Sequence, residues 1–202
     1  MKIFCIGRNY SDHAKELNNP VPSSPIIFMK PATALLKEGD PFFIPDFSSN
    51  IHYELEIVLQ ICKNGKSVEP AFASGYYDRI GLGIDFTARD LQDKLKDKGH
   101  PWELAKAFDH SAALGKFVNK DGLDMTDIRF RLEKNGIVVQ EGCTRDLIFD
   151  FDFLIGYISR YFTLQKGDLI FTGTPAGVGK VEKGDILEGY IGFQKMLEFK
   201  IK

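Results

Sequence analysis

The stretch His52-Tyr53-Glu54-Leu55-Glu56-Ile57-Val58-Leu59-Gln60-Ile61 constrains the fold of this chain more than any other. Its apolar residues recur at every second position, the period of a β-strand. Tyr53, Leu55, Ile57, Leu59 and Ile61 form one face, apolar throughout and suited to a core. His52, Glu54, Glu56, Val58 and Gln60 form the other, which makes Glu54 and Glu56 neighbours of like charge. Two readings are open. An edge strand with a wet face tolerates both glutamates, since Glu is only mildly depleted in strands. A hard divalent cation bound on that face removes the repulsion, and carboxylate oxygens are its preferred ligands.

The remaining sequence narrows the class. A chain of 202 residues is sized for one domain with a sizeable core. With 44% hydrophobic and 27% charged residues it has the balance of an ordinary globular protein. A net charge of -2 supplies no general attraction to nucleic acid or to an anionic membrane. The aromatic residues are mostly Phe and are not interleaved with basic runs, which argues against a base-stacking platform. Cys5, Cys62 and Cys143 are odd in number and far apart, fitting neither a disulfide framework nor a zinc site. The apolar run after Met1 is too short for a signal peptide, and no run approaches the roughly 20 residues that span a bilayer. A cytoplasmic protein without nucleic-acid or membrane partners is expected.

Local signals alternate along the chain. Residues 2–6 read as a strand, and residues 11–17 as a short helix with Ser11 as N-cap and Asn18-Asn19-Pro20 as its stop. His13 and Glu16 share one face of that helix, a spacing at which a carboxylate can orient an imidazole. A strand at residues 26–30 is held to an edge or an end by Pro31. Residues 63–66 look like a hairpin-type turn, residues 70–75 like a short helix, and residues 79–86 like a strand whose Gly81 and Gly83 signal a bulge or close backbone approach. Asp85 ends that strand where a helix begins, a position for a ligand-facing or a turn-stabilising carboxylate. Thr87 to Asp90 resembles a capping box opening the helix at residues 91–96. Lys106 lies among apolar neighbours, either snorkelling to the surface or desolvated in a pocket. Asn135-Gly136 between alternating segments is a strong hairpin signal, and residues 147–161 read as an apolar helix. Strands outnumber helices and no regular βαβ alternation occurs. The fold class is therefore predominantly β with a few helices, a mixed sandwich or roll and not a Rossmann sheet.

The glycine-rich run at residues 171–180 is not a phosphate loop. Val178 stands where a Walker loop counted from Gly173 needs glycine, and Val181 follows Lys180 where Ser or Thr is required. A loop offering backbone N–H groups and the Thr174 hydroxyl to a small carboxylate fits it better.

Taken together, these motifs resemble the fumarylacetoacetate hydrolase superfamily, in particular its short acylpyruvase-like branch, over essentially the whole chain. The carriers are Gly7-Arg8-Asn9-Tyr10 with Asp12-His13, Phe28-Met29-Lys30-Pro31, the Glu-x-Glu strand, and Asp85-Phe86-Thr87-Ala88-Arg89-Asp90-Leu91-Gln92. They continue with Pro101-Trp102, Ala105-Lys106 and Thr172-Gly173-Thr174-Pro175 with Gly177-Val178-Gly179. The resemblance implies the β-rich fold of that family, a homodimer, and Mg²⁺ or Mn²⁺ held by Glu54, Glu56 and Asp85. It implies that the helix near residues 10–18 is a lid carrying the His13–Glu16 pair. It also implies that Lys106, with Arg8, Gln92 and Thr174, contacts a small 2-oxo acid. On this reading His13, Glu16 and Lys106 are catalytic, and the expected reaction is hydrolytic C–C cleavage of an acylpyruvate. Oxaloacetate decarboxylation or tautomerisation, or isomerisation of a 2-hydroxyhepta-2,4-diene-1,7-dioate, would use the same site. A metal-stabilised binding module without catalysis is the non-enzymatic alternative, and a closed coordination sphere would mark it.

Overall fold

The computed structural model describes residues 1–17 and 20–202, and the helix stop expected at Asn18 and Asn19 lies outside them. The strands of the first half are β1 (Ile3–Gly7), β2 (Ile26–Lys30), β3 (Leu35–Lys37), β4 (Ile51–Tyr53), β5 (Leu55–Ile61), β6 (Tyr77–Asp85) and β7 (Thr87–Ala88). Those of the second half are β8 (Ala112–Asn119), β9 (Arg129–Lys134), β10 (Ile137–Cys143), β11 (Leu169–Phe171), β12 (Gly179–Lys180), β13 (Ile186–Ile191) and β14 (Gln194–Lys200). The helices are α1 (Ser11–Glu16), α2 (Pro70–Ala73), α3 (Arg89–Asp97), α4 (Glu103–Lys106) and α5 (Phe151–Tyr161). None of them is long and apolar enough to cross a membrane.

A seven-stranded mixed sheet runs β2-β1-β11-β5-β6-β8-β3, beside a four-stranded antiparallel sheet β10-β9-β13-β14 and a small β12-β4-β7 sheet. This is the mixed β architecture expected, with β2 at an edge as Pro31 requires.

The glutamate strand, however, is not an edge with a wet face. β5 is central, paired with β11 on one side and β6 on the other. Leu55, Ile57, Leu59 and Ile61 pack into the main core, while Val58 packs with Ile3, Cys5 and Phe171 on the opposite face. Both faces are covered, so Glu54 and Glu56 are buried too. The strand is interrupted at Glu54, and this break separates β4 from β5.

Several local expectations are corrected. The cap of α1 is Tyr10, not Ser11, and it makes no side-chain capping bond. The proposed capping box does not form, because α3 is capped by Ala88. Thr87 Oγ1 instead donates to the Asp85 carbonyl at 3.3 Å, and Asp90 accepts from Ser48 Oγ at 2.6 Å. The turn at residues 63–66 joins no hairpin; Gly65 bridges Leu164, and α2 intervenes before β6. α5 begins at Phe151, later than expected, because the Asp150 side chain accepts from Phe153 N at 2.8 Å and sets the start there. The hairpin at Asn135-Gly136 is present, with φ of 55° and 76°, the double left-handed signature that such a turn requires.

Gly83 shows why β6 carries glycine. A Cβ there would lie 2.5 Å from Phe171 Cε1 and 2.9 Å from Val58 Cγ2, inside the second core layer. Pairing with β8 also shifts register between Gly81 and Gly83. Gly83→Ala should therefore lower stability by about 1–3 kcal/mol through overpacking, with Phe171→Leu partly restoring it. Urea unfolding measures both, and an unchanged midpoint in the single variant would refute the packing account.

Candidate active site

The pairing of β5 with β6 builds the site. Leu55 lies opposite Ile84, so Asp85 projects from the end of β6 beside the break at Glu54, and Asp85 N donates to the Glu54 carbonyl at 2.8 Å. Glu54, Glu56 and Asp85 each bring a carboxylate oxygen within 4.8 Å of the others. All three are buried, at 4%, 2% and 0% exposure.

Three cations meet them. Lys106, from the last turn of α4, donates from Nζ to Glu54 Oε2 at 2.7 Å, Asp85 Oδ2 at 2.8 Å and Thr87 Oγ1 at 2.6 Å. Arg89, the first residue of α3, pairs with Glu54 Oε1 and donates to Gln92 Oε1 at 2.5 Å. Lys30, at the end of β2, places Nζ 2.8 Å from Asp85 Oδ1, without hydrogen-bond geometry to it, and donates to the oxygens of Ser111. Lys106 is thus the desolvated cation of its two readings and not a snorkelling one.

The electrostatics divide the carboxylates. Burial would raise the Glu54 carboxyl, but the Lys106 ammonium and Arg89 guanidinium hold it well below the usual range. Burial and the Asp85 charge drive Glu56 well above its usual range, against the Gly173 N–H, at 2.7 Å from Oε2, and the more distant Lys106 charge. Burial disfavours the Lys106 charge, yet Asp85 and Glu54 outweigh it and keep the ammonium protonated. Burial lowers His13, against the pull of Glu54 and Glu16, which favours its neutral form.

A divalent cation fits this donor set. Oxygen ligands from three buried carboxylates suit Mg²⁺ or Mn²⁺, and the Glu56 charge, which no lysine contacts, is the one left in need of a partner.

Arg8, His13, Glu54, Glu56, Asp85, Gln92, Lys106 and Thr174 all line one cavity of about 30 Å³, room for an ion or a water. Glu16 does not line it. Its Oε2 lies 3.3 Å from His13 Nδ1, and its Oε1 accepts from Gly177 N at 3.0 Å, tying α1 to the glycine-rich loop. That loop does present N–H groups to carboxylates, but those carboxylates are Glu56 and Glu16 of the protein itself. Arg8 reaches the cavity from a left-handed backbone, φ 59°, uncommon outside glycine.

Lys30 and Arg89 belong to the site and were given no role from sequence. Lys30 ends the otherwise apolar run Ile26-Ile27-Phe28-Met29, and Arg89 precedes Gln92 by three residues on one helix face; both signals were present.

The fumarylacetoacetate (FAA) hydrolase C-terminal family model matches residues 2–200. The mitochondrial oxaloacetate tautomerase of Bos taurus is 41% identical over 201 residues, 99% of this chain and 91% of that protein. The mitochondrial oxaloacetate decarboxylase of Dictyostelium discoideum is 40% identical over 203 residues, 99% of this chain and 93% of that one. Among solved structures, the fumarylpyruvate hydrolase of Pseudomonas aeruginosa in complex with Mn²⁺ and pyruvate superposes with a TM-score of 0.93 at 35% identity, covering 100% of this chain and 89% of that one. A buried acidic triad on a matching fold, with a family match along nearly its whole length, makes this chain a member of the fumarylacetoacetate hydrolase family.

Proposed function

We propose that the protein is a divalent-cation-dependent enzyme of short 2-oxo acids, with oxaloacetate tautomerisation or decarboxylation as its main reaction. The observation that carries this reading is the Lys106 ammonium, held protonated between Glu54 and Asp85 at the floor of the cavity. A lysine kept charged stabilises a developing oxyanion and is a poor imine-forming nucleophile. The sequence alone put acylpyruvate hydrolysis first. The names of the bovine and Dictyostelium relatives favour oxaloacetate instead, and so does the charge count. Lys106 and Arg89 line the cavity together with Arg8 and Lys96, so with a divalent ion bound its cations outnumber its carboxylates and favour an acid that carries two carboxylates. Hydrolysis of an acylpyruvate is the second reading, favoured by the His13–Glu16 pair, an arrangement able to activate water.

A divalent ion held by Glu54, Glu56 and Asp85 would supply a Lewis acid that polarises the 2-oxo group. The protein does the rest. Lys106 stabilises charge on the 2-oxo oxygen as a C3 proton or the C4 carboxylate departs. Neutral His13, oriented by Glu16, takes the C3 proton in tautomerisation, or a proton from water in hydrolysis. Arg8, Gln92 and Thr174 orient the carboxylates of the acid. α1 borders the cavity through His13 and is tied to the glycine-rich loop by the Glu16–Gly177 bond, so opening that bond would admit the acid and closing it would re-form the base. A homodimer is part of the proposal, decided by the mass in solution. So is a cytoplasmic setting, while the two curated relatives carry mitochondrial names.

Three outcomes test the assignment. Asp85→Asn or Glu56→Gln should weaken Mn²⁺ binding by about tenfold or more, since ligand charge sets affinity at such sites; unchanged calorimetric affinity in both would remove the metal site. Lys106→Met should lower oxaloacetate and acylpyruvate turnover alike, on the order of 10²–10³-fold, as for loss of one preorganised donor. Rates within a few-fold of wild type would make Lys106 a structural ion-pair partner only.

His13→Ala separates the chemistries. Tautomerisation and hydrolysis should fall by about 10²–10⁴-fold, and decarboxylation, which needs no base, far less. Because burial lowers His13, the neutral base persists as pH falls to below the ordinary imidazole value of about 6.5, and the acid limb of kcat/KM lies there. Equal losses in all three reactions would show that His13 only positions the lid.

A further inference from the structure

Gln140 sits at a β-bulge, where the pairing of β10 with β9 shifts register between Val138 and Gln140. Bulges re-aim side chains and recur beside active sites. Here the bulge turns Gln140 inward, to 2% exposure, from a sheet that contributes no carboxylate to the triad. Its Oε1 accepts from Leu55 N at 2.9 Å, between Glu54 and Glu56. Its Nε2 donates to Thr174 Oγ1 at 2.9 Å and to the Pro175 carbonyl at 3.0 Å.

These partners fix the amide's orientation. A backbone N–H can only donate and a carbonyl can only accept, so Oε1 must face Leu55 and Nε2 must face Pro175. Thr174 Oγ1 therefore receives a proton from Gln140, and its own hydroxyl hydrogen must find another acceptor. The protein acceptor its hydroxyl faces, Pro175 O, lies 3.5 Å away and already takes a bond from Nε2. That distance is beyond a good O–H···O bond. The other direction open to Thr174 is the cavity it lines with Arg8, His13 and Lys106.

We infer that Gln140 is a positioning residue that fixes the Thr174 hydroxyl as a hydrogen-bond donor aimed into the cavity, toward an anionic oxygen of the bound acid. A free threonine hydroxyl turns to suit either a donor or an acceptor. This one is committed before the ligand arrives, which favours carboxylate and oxyanion oxygens. The inference rests on the reading of the cavity as a 2-oxo-acid site and adds what sets the polarity of one of its contacts.

The test titrates pyruvate into the Mn²⁺-loaded protein by calorimetry, with Mn²⁺ affinity measured separately. Gln140→Glu keeps the shape and the bond to Leu55 N but puts an acceptor where Nε2 stood, drawing the Thr174 proton back from the cavity. It should weaken pyruvate binding by about tenfold or more, the scale of a hydrogen bond to a charged group, while Mn²⁺ affinity stays within about threefold. Thr174→Val should lose a similar factor and Thr174→Ser should not. The double variant Q140E/T174V should bind no more than about threefold worse than T174V alone, because both act on one hydroxyl. Wild-type affinity in Q140E overturns the inference, and so does a loss that adds in full to that of T174V, which would mark simple charge repulsion. If Q140E does not fold, T174V binding pyruvate as tightly as T174S overturns it equally. Wild-type protein that binds Mn²⁺ but no pyruvate overturns both this inference and the 2-oxo-acid reading, whereas wild-type binding with an unaffected Q140E overturns this inference alone.

Discussion

The pairing of Glu54 and Asp85 with Lys30, Arg89 and Lys106, with Glu56 buried beside them, is the interaction on which the rest of the structure depends. Each buried ion costs several kcal/mol of lost hydration, and an unpaired one is strongly destabilising. The six charges therefore have to arrive together, and they come from β2, the β4–β5 break, β5, β6, α3 and α4. The ends of the central strands are held close because Lys106 bridges them, bonding Glu54 and Asp85 at once. The pairing is uneven. Glu54 and Asp85 touch lysine nitrogens, whereas Glu56 has a backbone N–H and remains harder to ionise. That imbalance is what a divalent cation would correct.

Around this cluster the polar bonds of the glycine-rich loop link elements far apart in sequence. Gly173 N holds Glu56 and Gly177 N holds Glu16, so one loop anchors both a candidate ligand and the helix that carries His13. Gly177 has φ of +97°, and a Cβ there would lie 2.3 Å from the Val139 carbonyl, so the loop presses against β10 beside Gln140. Through this contact the second sheet reaches the site. Asn9 closes the opposite side, donating from Nδ2 to the carbonyls of Thr172 and Phe149. α1, loop and triad are thus one hydrogen-bonded unit, with the Glu16–Gly177 bond as the tie between α1 and the loop.

Residue type and spacing determined a good deal of this. Period-two runs in residues 52–61, 79–86 and 127–139 specify strands, the Asn135-Gly136 pair specifies its turn, and Glu54 and Glu56 two apart must share a strand face. His13 and Glu16 must share a helix face for the same geometric reason. The ordered motifs identified the family and named eight residues that line the cavity. What a single strand could not disclose is whether its second face is wet or dry. That depends on which strands flank it, and β5 is dry because β11 and β6 lie on either side and a second apolar layer covers Val58.

Only tertiary structure decided the partners of each charge. Thr87 and Asp90 have the spacing of a capping box, yet Lys106 and Ser48 claim their oxygens, since a long-range charge-assisted hydrogen bond outweighs a local cap of about 1 kcal/mol. Lys30 and Arg89 stand out locally, one ending an apolar run and the other three residues before Gln92, but nothing local names their partners, and Gln140 carries no signal at all. Their contacts with Asp85, Glu54 and Leu55 span long sequence separations, which local periodicity cannot encode. Sequence by itself determined which groups can bear charge and which face each occupies; the packing of α3 and α4 against the seven-stranded sheet decided which charges meet, because only burial makes their meeting obligatory.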